Sequence, residues 1–138
     1  MQGEILWKEY LIKDVQVHNV RGVKIINASP HPINLGFEGE EEIVILPPSG
    51  FIVSATPHEE MVSEGELVTL VTTRFLGNKE TKHAFKELRM ITPRVIIISS
   101  IIAAQAYPGS VMAMVPCKGF ERVPPAEKRM RHDKFTTF

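Results

Sequence analysis

The sequence predicts an α+β domain: an antiparallel-rich mixed β-sheet with one or two short helices and an extended basic C-terminal tail. Three observations carry that expectation. Runs of β-branched and other apolar residues separated by turn residues recur from Val15 to Leu76. An uncharged stretch, Val95 to Cys117, is interrupted by Tyr107-Pro108-Gly109. Beyond Cys117 the chain becomes basic and carries the Pro124-Pro125 pair. Residues 1–117 are therefore read as one globular domain and residues 118–138 as a basic, extended arm.

In chain order, "VQVHNVRGVKIIN" predicts one or two strands with a bend at Arg21-Gly22. "PINLGF" and "EIVIL" predict a hairpin around the acidic loop "EGEEE", Glu38 to Glu42. "LPPSGFIVSA" reads as strand, turn and strand, with Pro48 and Ser49 at the central turn positions. "ELVTLVTTRFL" alternates as a long strand does, and "GNKETK" reads as a polar loop. "HAFKELRMI" fits either state, since Phe85, Leu88 and Ile91 have helical spacing whereas Leu88 and Met90 alternate.

The uncharged stretch is long enough to cross a bilayer. Its central Pro-Gly turn would leave backbone groups unpaired in lipid, so no membrane partner is expected. "RVIII" instead predicts a strand covered on both faces. Ser99 or Ser100 supplies an N-cap for a short helix over "IIAAQA", Tyr107-Pro108-Gly109 stops it, and "SVMAMV" returns as a strand. Ile97 and Ile98 are expected at the centre of the core, packed by Ile101 or Ile102. The Ser-Ser pair lacks the glycines of a hydrolase nucleophile elbow, which favours a cap over a nucleophile.

Composition narrows the function classes. At 138 residues the chain can bury a core without metal or disulfide support, and the lone Cys117 has no internal partner. In "MQGEILWKEYLIKD", Glu4, Lys8 and Glu9 interrupt the apolar run a signal peptide needs, so no secretory signal is expected. Asp14 and Asp133 are the only aspartates. That scarcity disfavours a metal-dependent nuclease or phosphatase, and no metal or cofactor is expected. Few Asn and Gln with 10 Pro lean towards a thermophilic source.

The zero formal net charge conceals an asymmetry. Residues 1–78 carry five Lys or Arg against eleven Asp or Glu, and residues 79–138 carry the reverse, eleven against five. Acidic residues gather at Glu38 to Glu42 and at Glu59, Glu60, Glu64 and Glu66. Basic residues gather at Lys118, Arg122, Lys128, Arg129, Arg131 and Lys134. Solvated faces account for both, but opposite patches also permit self-association, and a basic arm permits nucleic-acid binding.

Two stretches, "NASPHPINL" and "SATPHEEM", run β-formers into a hydroxyl residue, Pro and His. Ser29 and Thr56 can bond nearby amides, while Pro30 and Pro57 stop strand pairing, so two similar strand-end turns explain the pattern. The alternative is a shared site with His31 and His58. His83, His132 and Cys117 show no metal-ligand spacing.

"IINASPHPINL", "LPPSG" and "RVIIISSIIAAQA" in this order resemble a family of small uncharacterised bacteriophage and prophage proteins. Its members open with Asn-Leu-Thr-Pro-His, continue through Pro-Pro-Ser-Gly and later show an Ile-Val-Ser segment. The resemblance spans Val23 to Pro116, with Ala28-Ser29 replacing Leu-Thr and a long basic ending replacing a short one. The chain is also similar to hypothetical proteins of viruses of hyperthermophilic archaea. The resemblance implies a strand for "FKELRMI" and host cytoplasm or virion as the location, and it implies no biochemical activity.

Three function classes follow. The first is a viral accessory or virion-associated protein acting by self-association, as a homo-oligomer, or by binding another protein. The second is a nucleic-acid-binding protein using Lys118, Arg122, Lys128, Arg129, Arg131 and Lys134, with Phe120 and Phe135 available to stack on bases. The third is an enzyme with a site at Asn27, Ser29 and His31, with His58 and Ser99 as further catalytic candidates. No partner carboxylate can be assigned to it.

Overall fold

The computed structural model describes residues 7–12 as backbone and residues 15–138 in full. The reading of the N-terminal stretch over residues 1–6, 13 and 14 lies outside the described residues. The strands are β1 (Trp7–Ile12), β2 (Val15–Val20), β3 (Val23–Asn27), β4 (Ile33–Gly36), β5 (Ile43–Leu46), β6 (Thr56–Glu64) and β7 (Thr69–Leu76). Then follow α1 (Lys79–Ile91), β8 (Ile96–Ser99), α2 (Ile101–Ala106), β9 (Met112–Pro116), a 3-10 turn (Pro125–Glu127) and β10 (Met130–Thr136).

Eight strands join in the order β1-β2-β3-β8-β9-β10-β4-β5, and β6 and β7 form a separate ribbon. The pairs β1–β2, β2–β3, β9–β10 and β4–β5 are antiparallel. The pairs β3–β8, β8–β9 and β10–β4 are parallel. This corrects the expected fold class: the sheet is mixed rather than antiparallel-rich, and the described residues are mostly β, with strand far outweighing helix. Parallel pairing needs crossovers, which short turns cannot make. The β8–α2–β9 unit, read correctly from sequence as strand, helix and strand, is one of them.

The sheet curls into a nearly closed barrel. Val20 of β2 and Leu46 of β5 lie far apart in strand order, yet both belong to one buried cluster with Ile25, Ile33, Leu35 and Ile98. The chain leaving β5 completes the curl: Ser49 N donates to Asn27 O at 2.9 Å, and Gln16 N donates to Ser49 O at 3.0 Å. Alternate residues of the same strands, Val17, Ile26 and Ile97, face a second cluster with Phe85, Leu88 and Tyr107. β3 and β8 are thus apolar on both faces, as expected of strands covered on both sides.

Arg21 and Gly22 make the β2–β3 turn with φ of 51° and 87°, a conformation suited to glycine. Asn19 Oδ1 accepts from Gly22 N at 2.9 Å and secures it. The predicted β4–β5 hairpin is present.

Four other expectations are corrected. The C-terminal residues are no extended tail: β10 lies between β9 and β4, with Met130 and Phe135 against the first cluster. A register shift between those residues breaks the period-two pattern that would have revealed the strand. "FKELRMI" lies within a helix, not a strand. Asn78 caps α1, its side chain accepting from Thr81 N at 2.8 Å, and Phe85 and Leu88 bury one face. Residues 51–55 form no strand, although Val53 N donates to Ala28 O at 2.9 Å. Finally, Pro57 does not stop pairing but sits inside β6 opposite Phe75. A two-stranded ribbon consists of edges, so a proline without an N–H is tolerated there.

Candidate functional site

The first candidate, around Asn27, is a closed hydrogen-bond knot. Asn27 is fully buried at the end of β3. Its amide nitrogen donates to His31 O at 2.8 Å and Leu46 O at 3.0 Å. Its Oδ1 accepts from Ser29 N at 3.0 Å and lies 2.7 Å from Ser29 Oγ. The Ser29 hydroxyl proton therefore serves Asn27 Oδ1 or the His31 carbonyl at 3.0 Å. Both amide hydrogens of Asn27 are in use, and its oxygen holds the turn. These side chains pin the β3–β4 turn to the end of β5, the work of a structural asparagine in a strand-end turn.

His31 is exposed on that turn, whereas His58 is exposed on β6, 3.9 Å from Glu60. Ser99 is buried with its Oγ 3.4 Å from Ala28 O, and Ser100 rather than Ser99 caps α2 by accepting from Ala103 N at 3.1 Å. The structure thus distributes His31, His58 and Ser99 over a loop, the ribbon and the core. Among the described residues, no group of three or more His, Cys, Asp or Glu is placed to hold a metal.

Three of the six basic residues of the C-terminal segment, Lys128, Arg129 and Arg131, meet acceptors within the chain. Arg131 pairs with Asp133 at 3.0 Å and lies 3.8 Å from Glu38. Arg129 donates to Glu41 O at 3.2 Å and its guanidinium lies 4.9 Å above the Phe120 ring. Lys128 donates to Glu121 O at 3.2 Å. Lys118, Arg122 and Lys134 are exposed, and Phe135 packs inward. On the other side of the acidic loop, Arg21 bonds Glu40 at 2.7 Å and lies 3.8 Å over Phe37. Two of the four loop carboxylates, Glu38 and Glu40, thus meet a cation in the same molecule.

Sequence reasoning missed the feature that stands out on the surface. The β6–β7 ribbon is exposed along almost its whole length, and at about 3.3 Å per residue its nine-residue strand spans roughly 30 Å. Its distal half carries six exposed apolar side chains, Met61, Val62, Leu67, Val68, Leu70 and Val71, interspersed with Glu64 and Glu66, and Leu67 is 97% exposed. Its proximal half is polar, with Glu60 held by Arg74 at 2.9 Å. Cross-strand partners share a face, so Met61 and Val71 form an apolar pair with Glu59 and Glu64 beside it on the same face. Val62 falls at the register shift between Met61 and Ser63.

The ribbon is anchored at its foot. Phe75 packs against the core beside Phe85 and Tyr107. A Cβ on Gly77 would collide with the Tyr107 ring, so only glycine lets the chain leave the ribbon so close to that ring. The available sequence signal was "TPHEEMVSE" opposite "TLVTTRFL" around Gly65. The proline and the run of glutamates concealed the first strand.

No family model, curated protein or solved structure matches the chain. Among the described residues, no helix is long and apolar enough to cross a membrane.

Proposed function

We propose that this chain acts by binding protein, foremost further copies of itself, with the β6–β7 ribbon as the binding element. One observation carries the reading: six large apolar side chains cluster on the distal ribbon and none of the described residues covers them. An isolated two-stranded ribbon is marginally stable in water, and large apolar side chains exposed in such number at one end of an element mark interaction sites. Its open edges also invite strand addition, and Glu59, Glu60 and Glu64 on β6 limit indiscriminate pairing. The phage-like stretches around Asn27 and Ser49 favour a viral accessory or virion-associated setting.

The test is excision of residues 60–72, with Glu59 joined to Thr73 through an Asn-Gly turn. The body should keep its far-ultraviolet circular dichroism and thermal midpoint, because the excised residues are exposed. The intact chain should cross-link to itself at concentrations where the excised form does not. Equal cross-linking by both forms would overturn the reading.

A further inference from the structure

We propose that the ribbon of one copy docks in the basic groove along α1 of a second copy, an inference that rests on the association reading above. The groove is an open cavity of about 660 Å³ between α1 and the turn that follows α2. Lys82, Lys86 and Arg89 line it with Phe85, Met90 and Ser110. Lys82, Lys86 and Met90 recur every four residues and share one stripe of the helix. Met90 is 83% exposed, so the groove offers an apolar spot ringed by cations. Arg89 is fixed in place, donating to Ser110 O at 2.6 Å with its guanidinium 5.9 Å from the Phe85 ring centroid.

The ribbon face carrying Met61 and Val71 is the complement of this arrangement, an apolar pair flanked by Glu59 and Glu64. Those carboxylates lie roughly 15 Å apart along the ribbon. Lys82 and Arg89 lie about 10 Å apart along the helix axis, a difference that the flexible Lys82 and glutamate side chains span while Arg89 stays fixed. The charges on both sides are uncommitted: among the described residues, the side chains of Glu59, Glu64, Lys82 and Lys86 make no hydrogen bond or ion pair. Glu60, on the opposite face, is by contrast neutralised by Arg74. Nor does the ribbon fill the groove of its own chain, since Met61, Val71 and Met90 all stay exposed.

Both surfaces belong to one chain, so a two-fold dimer would form the contact twice and double the buried area. The acidic ribbon and basic helix also fall in the oppositely charged parts of the sequence that meet at residue 78.

Charge reversal tests the pairing. Lys82→Glu with Lys86→Glu, and separately Glu59→Lys with Glu64→Lys, should each weaken self-association at least about tenfold, the scale of like charges meeting across an interface. Mixing the two variants should restore association between them, measured by sedimentation with one labelled species. All four sites are exposed, and the neutral variants Lys82→Gln with Lys86→Gln provide a milder form that should show the smaller loss. Unchanged association of the Lys82→Glu/Lys86→Glu chain, with the ribbon-excised chain still monomeric, would overturn the groove while leaving the association reading intact. Failure of the mixed pair to associate would overturn it as well. Association that survives ribbon excision would remove both.

Discussion

The backbone amide of Asn78 donates to the hydroxyl of Tyr107 at 2.9 Å, tying the foot of the ribbon to the C-terminal end of α2. Tyr107 is 1% exposed and meets Phe85 edge-on, with ring centroids 5.2 Å apart. One side chain thus sets the exit of the ribbon, the start of α1 and the end of α2. Tyr107→Phe should cost about 1 kcal/mol, the usual net worth of such a bond. Gly77→Ala should cost more, because the ring cannot move from a packed core without strain. Urea denaturation of both variants checks the order, and an Ala variant as stable as the parent would contradict the packing described.

The Asn27 knot makes a prediction about stability rather than catalysis. Asn27→Ala removes a buried group that bonds His31 O, Leu46 O and Ser29 together, so a loss of about 2–3 kcal/mol is expected. Ser29→Ala should cost about 1 kcal/mol or less, and His31→Ala, at an exposed position, within about 0.5 kcal/mol. Denaturation midpoints in that order support a structural knot, and His31→Ala as the most damaging change would contradict it.

Ile98 is fully buried on the barrel side of β8, so Ile98→Ala should cost on the order of 2–5 kcal/mol. Ile101 or Ile102 was expected to pack beside it, but they are 59% and 44% exposed at the start of α2, and the alanine variant of either should be nearly neutral. Removing residues 124–138 should unfold the body rather than release an appendage, because β10 lies between β9 and β4. A truncated chain that keeps its cooperative unfolding transition would show that β10 is dispensable.

Burial pushes the Cys117 thiol up from its ordinary value, with only part of the effect offset by the Gly36 backbone and by Arg131 and Arg129. The thiolate is the reactive form, so native Cys117 should react slowly with a disulfide reagent at pH 8 and quickly once unfolded. Asp133 shows the opposite shift: its hydrogen bonds to Arg131 hold the carboxyl below the usual range. That contribution is complete above the ordinary Asp value of about 3.9 and fades as pH falls through the lowered one. Both partners are solvent-accessible, so Asp133→Asn should cost under about 1 kcal/mol at neutral pH, and the difference should vanish in strong acid.

The sequence made the local pieces of the fold readable and left the long-range ones hidden. The β2–β3 and β4–β5 hairpins and the β8–α2–β9 unit announce themselves through Arg21-Gly22, the acidic loop, Ser100 and Pro108, each acting over a few residues. The insertion of β10 depends on pairings with Ile33–Gly36, almost a hundred residues earlier, and its bulge erases the alternation. α1 was legible in Phe85 and Leu88, and the family resemblance argued against the correct reading. The acidic and basic segments were noticed, but their meeting through Arg129 and Arg131 needed the fold. The first strand of the ribbon stayed hidden because a strand exposed on both faces has no burial pattern to display, whereas "ELVTLVTTRFL" alternated enough to reveal the second.

The claim that most needs testing is that the exposed ribbon drives self-association. Sedimentation equilibrium of the intact chain from about 1 µM to 100 µM, a range that reports dissociation constants of that order, measures it directly. The account predicts a weight-average mass that rises with concentration from the 15.5 kDa of one chain towards at least twice that value. A mass fixed at that of a single chain throughout the range would contradict it.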